Sequence, residues 1–312
     1  MDLHQFNTGS RYIGAKAVSK EIEDFRPNDA EPGVVVTTSY GRVEGMPRKT
    51  KSGNDALIFL GVPYAHPPVG SFRFMPPQNP EPWPGTLMAK AYKPGCLQVK
   101  ARQGRSYKYM DEDCLYINLY LPADAPHRAA TMTGLYPVIY YMHGGGWEFD
   151  SPDMFPIDNM IDNFVSRDVI IITFGYRLGL MGFWSTGTPE APGNNALKDA
   201  IHGLHWVQEE IKNFGGDPNQ VTIQGHSSAG MGVSLLTLSP ATAGLFHQAV
   251  AMSGSALTAG TTSNDLTAFQ DVAVQFGCDK HGYWKKQKFK KIIKCLQKVD
   301  ADQMNDYYLD TR

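Results

Sequence analysis

Five near-continuous apolar runs constrain this chain more than any other feature: LYINLYL from Leu115, YPVIYYM from Tyr136, DVIIITF from Asp168, QVTIQ from Gln220 and HQAVAMS from His247. Runs of that length read as strands covered on both faces. Between the third and fourth runs, Leu197, Ile201, Leu204, Val207 and Ile211 recur at steps of three and four. That spacing predicts an amphipathic helix over Asn195 to Phe214, stopped by Gly215-Gly216 and Pro218. Strand, crossover helix and parallel strand imply an α/β fold built on a doubly wound, mostly parallel sheet with helices on both faces. In such a sheet the reactive loops lie at the carboxyl ends of the strands.

The remaining chain adds boundaries and exclusions. Residues 1–30 are polar and aperiodic and read as a loose N-terminal arm, with the domain over 31–312. Gly33 to Gly45 and Asp55 to Pro63 carry the signature of short strands, and the proline-rich stretch from Pro76 to Pro84 belongs on the surface. A net charge of −2 and a pI of 6.5 give no footprint for nucleic acid, and no apolar stretch approaches the ~20 residues of a membrane span. The basic run WKKQKFKKIIK, Trp284 to Lys294, reads as a solvated helix face because Phe289, Ile292 and Ile293 interrupt the lysines. The first residues, with Asp2 and no apolar run, do not read as a signal peptide. Cys96, Cys114, Cys278 and Cys295 fall in two local pairs. On spacing alone, two loop-closing disulfides of an oxidising compartment and four separate buried thiols are equal readings. No metal or cofactor is expected.

The sharpest local signal is Val221 to Gly230, VTIQGHSSAG, an apolar strand running into a serine among very small residues. A nucleophile elbow needs that composition, because the strained turn has no room for bulk two residues before or after the serine. Ser227 has Gly225 at −2 and Ala229 at +2, whereas Ser228 has Gly230 at +2 but His226 at −2. One extra methyl is tolerated more readily than an imidazole, which favours Ser227. A second signal, His143-Gly144-Gly145-Gly146-Trp147, follows the strand YPVIYYM directly. Consecutive glycines let backbone N–H groups face a pocket and bond an oxyanion. Either motif alone also fits a plain turn; at the ends of strands in one sheet they point together to acyl transfer.

VTIQGHSSAGMGVSLLTLSP resembles the nucleophile segment of cholinesterases and type-B carboxylesterases, on the α/β-hydrolase fold. FLGVPYAHPPVGSFRFMPPQ, DEDCLYINLYLP, VIYYMHGGGW, FGYRLGLMGFW, GNNALKDAIHGLHWVQEEIKNFGGDPNQ and LFHQAVAMSGS extend the likeness from about Gly33 to Cys295. The resemblance implies Ser227 as nucleophile and an oxyanion hole from the N–H groups of Gly145, Gly146 and Ser228. It further implies disulfides Cys96–Cys114 and Cys278–Cys295, a buried ion pair of Arg73 with Glu112, and a small-molecule ester as substrate; the cysteine pairs in turn point to residence outside the cell or in the secretory pathway. Trp147 and His226 are expected to line the pocket.

Three positions depart from the family's pattern: His226 where Glu is usual, Ala229 where Gly is usual, and Gly175 where Asn is usual. His226 adjoins the serine on a tight turn and points away from it, so it is not the base. In α/β-hydrolases the acid and histidine follow the serine on later strands. After Ser227 only His247 and His281 occur, and neither matches the family's catalytic histidine. The resemblance therefore predicts that the sheet stops before its last strands, that acid, base and a C-terminal half of the fold lie beyond Arg312, and that this chain alone is weakly active or inactive. The alternative is a non-catalytic adhesion or receptor domain of neuroligin type; retention of Ser227 and the glycine triplet favours the esterase.

Overall fold

A computed structural model describes residues 33–102, 105–106, 109–263 and 265–311. The arm expected over 1–30 lies outside these residues. The main sheet is built from β1 (Val34–Thr38), β2 (Gly41–Lys49), β3 (Asp55–Pro63), β4 (Thr86–Met88), β5 (Tyr116–Pro122), β6 (Tyr136–Met142), β7 (Ile170–Phe174), β8 (Gly216–His226) and β9 (Gln248–Met252). Their order is β1-β2-β3-β5-β7-β6-β8-β9, with β4 beside β2. The segment β7-β6-β8-β9 is parallel throughout, whereas β5 runs antiparallel to both β3 and β7. The sheet is therefore mixed. An apolar run reports two-sided burial and says nothing of direction, which is why LYINLYL looked like its parallel neighbours.

Helices cover both faces. On one, Ala196, Ala200, Leu204 and Val207 of α4 (Asn195–Glu210) meet Val138, Tyr140, Ile172 and Ile223 of the sheet. On the other, Met160 and Ile161 of α2 (Ile157–Asn163) meet Tyr120, Tyr141 and Ile171. The short α1 (Ala125–Thr131) joins β5 to β6. Past Glu210 the predicted helix tightens into a 3-10 turn, Ile211–Phe214, and ends on left-handed Gly215. From β6 the chain crosses to β7 on one side, then returns to β8 on the other. The β6–β8 crevice is thus the topological switch point, where α/β sheets hold their ligands.

A second core joins α3 (Gly179–Phe183), α6 (Thr267–Gln275), α7 (Phe289–Leu296) and α8 (Ala301–Asp310) around Trp184, Ile292, Leu296 and Tyr308. Within WKKQKFKKIIK the helix begins only at Phe289; its apolar residues are buried and its lysines exposed. Two disulfides, Cys96–Cys114 and Cys278–Cys295, have S–S lengths of 2.04 and 2.06 Å. The Arg73 guanidinium forks onto Glu112 with both bonds at 2.6 Å and donates to the carbonyls of Leu296 and Val299, tying the second core to the first disulfide loop.

The run HQAVAMS departs from expectation. It forms β9, yet Gln248, Ala249, Val250 and Ala251 are exposed, because among the described residues β9 has β8 as its single strand neighbour and the helix that follows Ser227 reaches it without covering those four residues. Among the described residues no helix is long and apolar enough to cross a membrane.

Candidate active site

Ser227 sits at the joint of β8 and α5 (Ser228–Leu238) with φ 60° and ψ −125°. A non-glycine residue adopts that backbone only where its surroundings impose it. Here the imposition is steric and local. A Cβ on Gly225 would lie 2.6 Å from the Ala229 carbonyl oxygen and 2.9 Å from the Ala229 methyl. The strand can thus turn this sharply only with glycine at −2, and the alanine at +2 is accommodated because of it. The Ser227 N–H donates to the Met252 carbonyl at 2.8 Å, anchoring the turn to the end of β9. Ser227 is half-buried, while Ser228 is buried and opens α5, where first-turn N–H groups lack intrahelical acceptors.

The glycine loop after β6 lies against this elbow. A Cβ on Gly144 would stand 2.7 Å from the His226 carbonyl oxygen and 3.3 Å from the Ser227 Cβ. The sequence motifs, 83 positions apart between Gly144 and Ser227, are therefore in van der Waals contact. Gly145, Gly146, Trp147 and Asp150 all have positive φ, at 106°, 65°, 66° and 89°. The N–H groups of Glu148 and Phe149 donate to the Gly145 carbonyl at 3.0 and 3.1 Å, so that oxygen is turned back into the loop. Trp147 packs its ring against Gly232 of α5, Met142 and Phe183, wedging the loop onto the helix. His226 is exposed.

Beneath the loop lies a polar cluster that sequence reasoning missed. His143 is buried, stacks on Tyr176 at 4.4 Å and hydrogen-bonds the Gly144 carbonyl through Nδ1 at 2.9 Å. The Tyr176 hydroxyl, whose pKa burial holds well above its ordinary value, donates to the His143 carbonyl at 2.6 Å. Burial lowers the His143 pKa, with Asp150 and Asp153 opposing, and burial raises that of Asp153. A histidine with a depressed folded value contributes fully above its unfolded value of about 6.5 and loses that contribution as pH falls through the folded one. Unfolding free energies from denaturant titrations between pH 7 and 5.5 are therefore expected to fall more steeply in the natural sequence than in His143→Phe, by up to about 1.4 kcal/mol per pH unit. Parallel curves would remove His143 from this role.

Two further buried groups were invisible in the sequence. Arg177, in the loop after β7, forks onto Asp199 of α4 at 2.8 and 2.6 Å, with side chains 4% and 0% exposed. Glu210 accepts from the Ser39 N–H and from Asn213 Nδ2, closing the β1–β2 turn onto the end of α4.

No described side chain hydrogen-bonds Ser227 Oγ. His247 lies at the start of β9, its N–H bonded to the Val221 carbonyl, whereas Met252 at the strand's end pairs with His226. At ~3.3 Å per residue, five residues separate His247 from the elbow by well over hydrogen-bond reach. His281 is exposed and sits edge-on to Tyr283 within the second disulfide loop.

A strained serine between strand and helix, faced by a glycine loop at the switch point of a mixed sheet, is the arrangement of an α/β-hydrolase. The chain belongs to the carboxylesterase family, whose sequence model matches residues 32–311. It is 37% identical over 289 residues to a liver carboxylesterase of Sus scrofa, covering 88% of this chain and 48% of that protein. It is 36% identical over 286 residues to a medium-chain fatty acyl-CoA hydrolase precursor of Anas platyrhynchos, covering 86% and 48%. A crystal structure of juvenile hormone esterase from Manduca sexta with OTFP covalently attached superposes with a TM-score of 0.77 at 33% identity, covering 88% of this chain and 50% of the other. The chain spans about half the length of the curated relatives it matches.

Proposed function

We propose that this chain carries the nucleophile and oxyanion hole of a serine carboxylesterase, with Ser227 attacking the carbonyl of a small carboxylic ester or thioester. The N–H groups of Gly145, Gly146 and Ser228 then hold the tetrahedral oxyanion, and water releases the acid from the acyl-enzyme. The observation that carries the reading is the strained Ser227 backbone with the glycine loop in contact with it. Ester and thioester substrates are named for the liver carboxylesterase, the acyl-CoA hydrolase and the juvenile hormone esterase among the relatives. A serine hydroxyl attacks at neutral pH only with a base beside it, and none of the described residues supplies one, so the proton acceptor comes from outside them. The two disulfides support a secreted or lumenal setting.

Labelling with a fluorophosphonate tests the reading. In the protein expressed from its natural transcript, the adduct is expected on the peptide containing Ser227 and is expected to vanish in Ser227→Ala. The 312-residue chain alone should react at least about a thousandfold more slowly, the loss that follows removal of triad members. Rapid labelling of that chain alone would mean a base has been overlooked, with His281 and His247 the first to replace. A folded natural protein that never labels would favour the adhesion reading instead.

A further inference from the structure

The far end of the glycine loop is gripped on both sides by a carboxamide from another loop. Gln98, 1% exposed, lies two residues past Cys96, in the first disulfide loop. Its Oε1 accepts from the Asp150 N–H at 2.6 Å, and its Nε2 donates to the Asp150 carbonyl at 2.9 Å and to the Cys96 carbonyl at 3.1 Å. One side chain thus grips both faces of Asp150, and all its amide hydrogens are used. Its own main chain is fixed in turn, because Asn305 Nδ2 on α8 donates to the Gln98 carbonyl at 3.1 Å.

The grip matters because of which peptide it holds. The Asp150 N–H belongs to the Phe149–Asp150 peptide, and the carbonyl on the other side of that peptide is the one packed on Gly145. A Cβ at Gly145 would lie only 1.9 Å from the Phe149 oxygen. If the peptide rotated, that oxygen would leave Gly145, and the loop, already carrying four positive φ angles, would lose its support. The Gln98–Asp150 bond fixes that rotation.

We infer that Gln98 is a positioning residue: by clamping the Phe149–Asp150 peptide it holds the Gly144–Trp147 backbone with its N–H groups turned toward Ser227. The catalytic consequence rests on the esterase reading above; the clamp itself does not. Gln98→Met keeps length and apolar bulk but removes three hydrogen bonds and leaves a buried N–H unsatisfied, while Gln98→Asn keeps the amide and withdraws it by one methylene.

Both variants are to be made in the protein expressed from its natural transcript. The readouts are amide hydrogen exchange of residues 144–150 and the kinetics of fluorophosphonate labelling, with the melting temperature as a check on folding. Exchange in the loop is expected to rise about tenfold or more. The inactivation rate constant should fall about a hundredfold, the loss for one misplaced oxyanion donor, with the reversible affinity for the probe unchanged within about twofold. Unchanged loop exchange in both variants overturns the clamp. A weakened affinity with an intact inactivation rate overturns the positioning role, since misaligned donors act on the transition state and not on binding. If Ser227 never labels in the natural sequence, the esterase reading fails, and loop exchange alone still decides whether Gln98 holds the loop.

Discussion

Gly145→Ala is expected to lower the rate of Ser227 acylation by about two to three orders of magnitude, the loss for removing an oxyanion donor, while Gly146→Ala costs far less. The two glycines are neighbours with positive φ, and their surroundings differ. A methyl on Gly145 would overlap the Phe149 carbonyl at 1.9 Å, and that oxygen sits on a peptide held by Gln98, so the loop must rebuild. A methyl on Gly146 meets nothing within 4 Å and carries only the left-handed backbone cost of roughly 1–2 kcal/mol. Second-order rate constants for fluorophosphonate labelling of the two variants, in the protein from its natural transcript, make the comparison. Equal losses at both positions would mean that backbone freedom, not the Phe149 contact, governs the loop.

The largest stability loss is expected at Arg177→Met. Asp199 is fully buried and would be left charged without its guanidinium, which typically costs about 3–5 kcal/mol. Arg177 also donates to the Met75 carbonyl at 2.7 Å, so the loss reaches the segment before the surface prolines. The double variant Arg177→Met with Asp199→Leu is expected to recover most of the loss, because an apolar pair of similar volume removes the uncompensated charge. Urea midpoints at constant m-value measure both. A double variant no better than the single one would show that the pair's hydrogen bonds, and not the stranded charge, set the cost.

What the sequence made legible was whatever has a local signature. Apolar runs marked five neighbouring strands of the sheet, and the three- and four-residue steps of Leu197 to Ile211 marked α4 to within its terminal turn. The elbow was readable because its steric demand falls on Gly225 and Ala229, within two positions of the serine. Strand direction at β5 was not readable, since pairing partners lie far along the chain. Nor was the exposure of β9, which depends on what stands beside it. The polar groups that hold the site escaped for the same reason. Gln98 and Asp150 are 52 positions apart, Arg177 and Asp199 are 22, and Ser39 and Glu210 are 171. None of these spacings follows a helix or strand period, so periodicity has nothing to say about them.

The strand that anchors Ser227 is also the one with the least covering it. The serine N–H hangs on the Met252 carbonyl at the end of β9, and a Cβ at Gly230 would come within 2.6 Å of that same oxygen. Structures open locally with free energies ranging from nearly nothing at poorly packed edges to the global value in the core, and a strand exposed on four of its five residues belongs to the lower end. An opening in which β9 separates from β8 would therefore take the acceptor away from the Ser227 N–H. A surface that packed on β9 would oppose that opening and so hold the Ser227 turn in place without touching the serine.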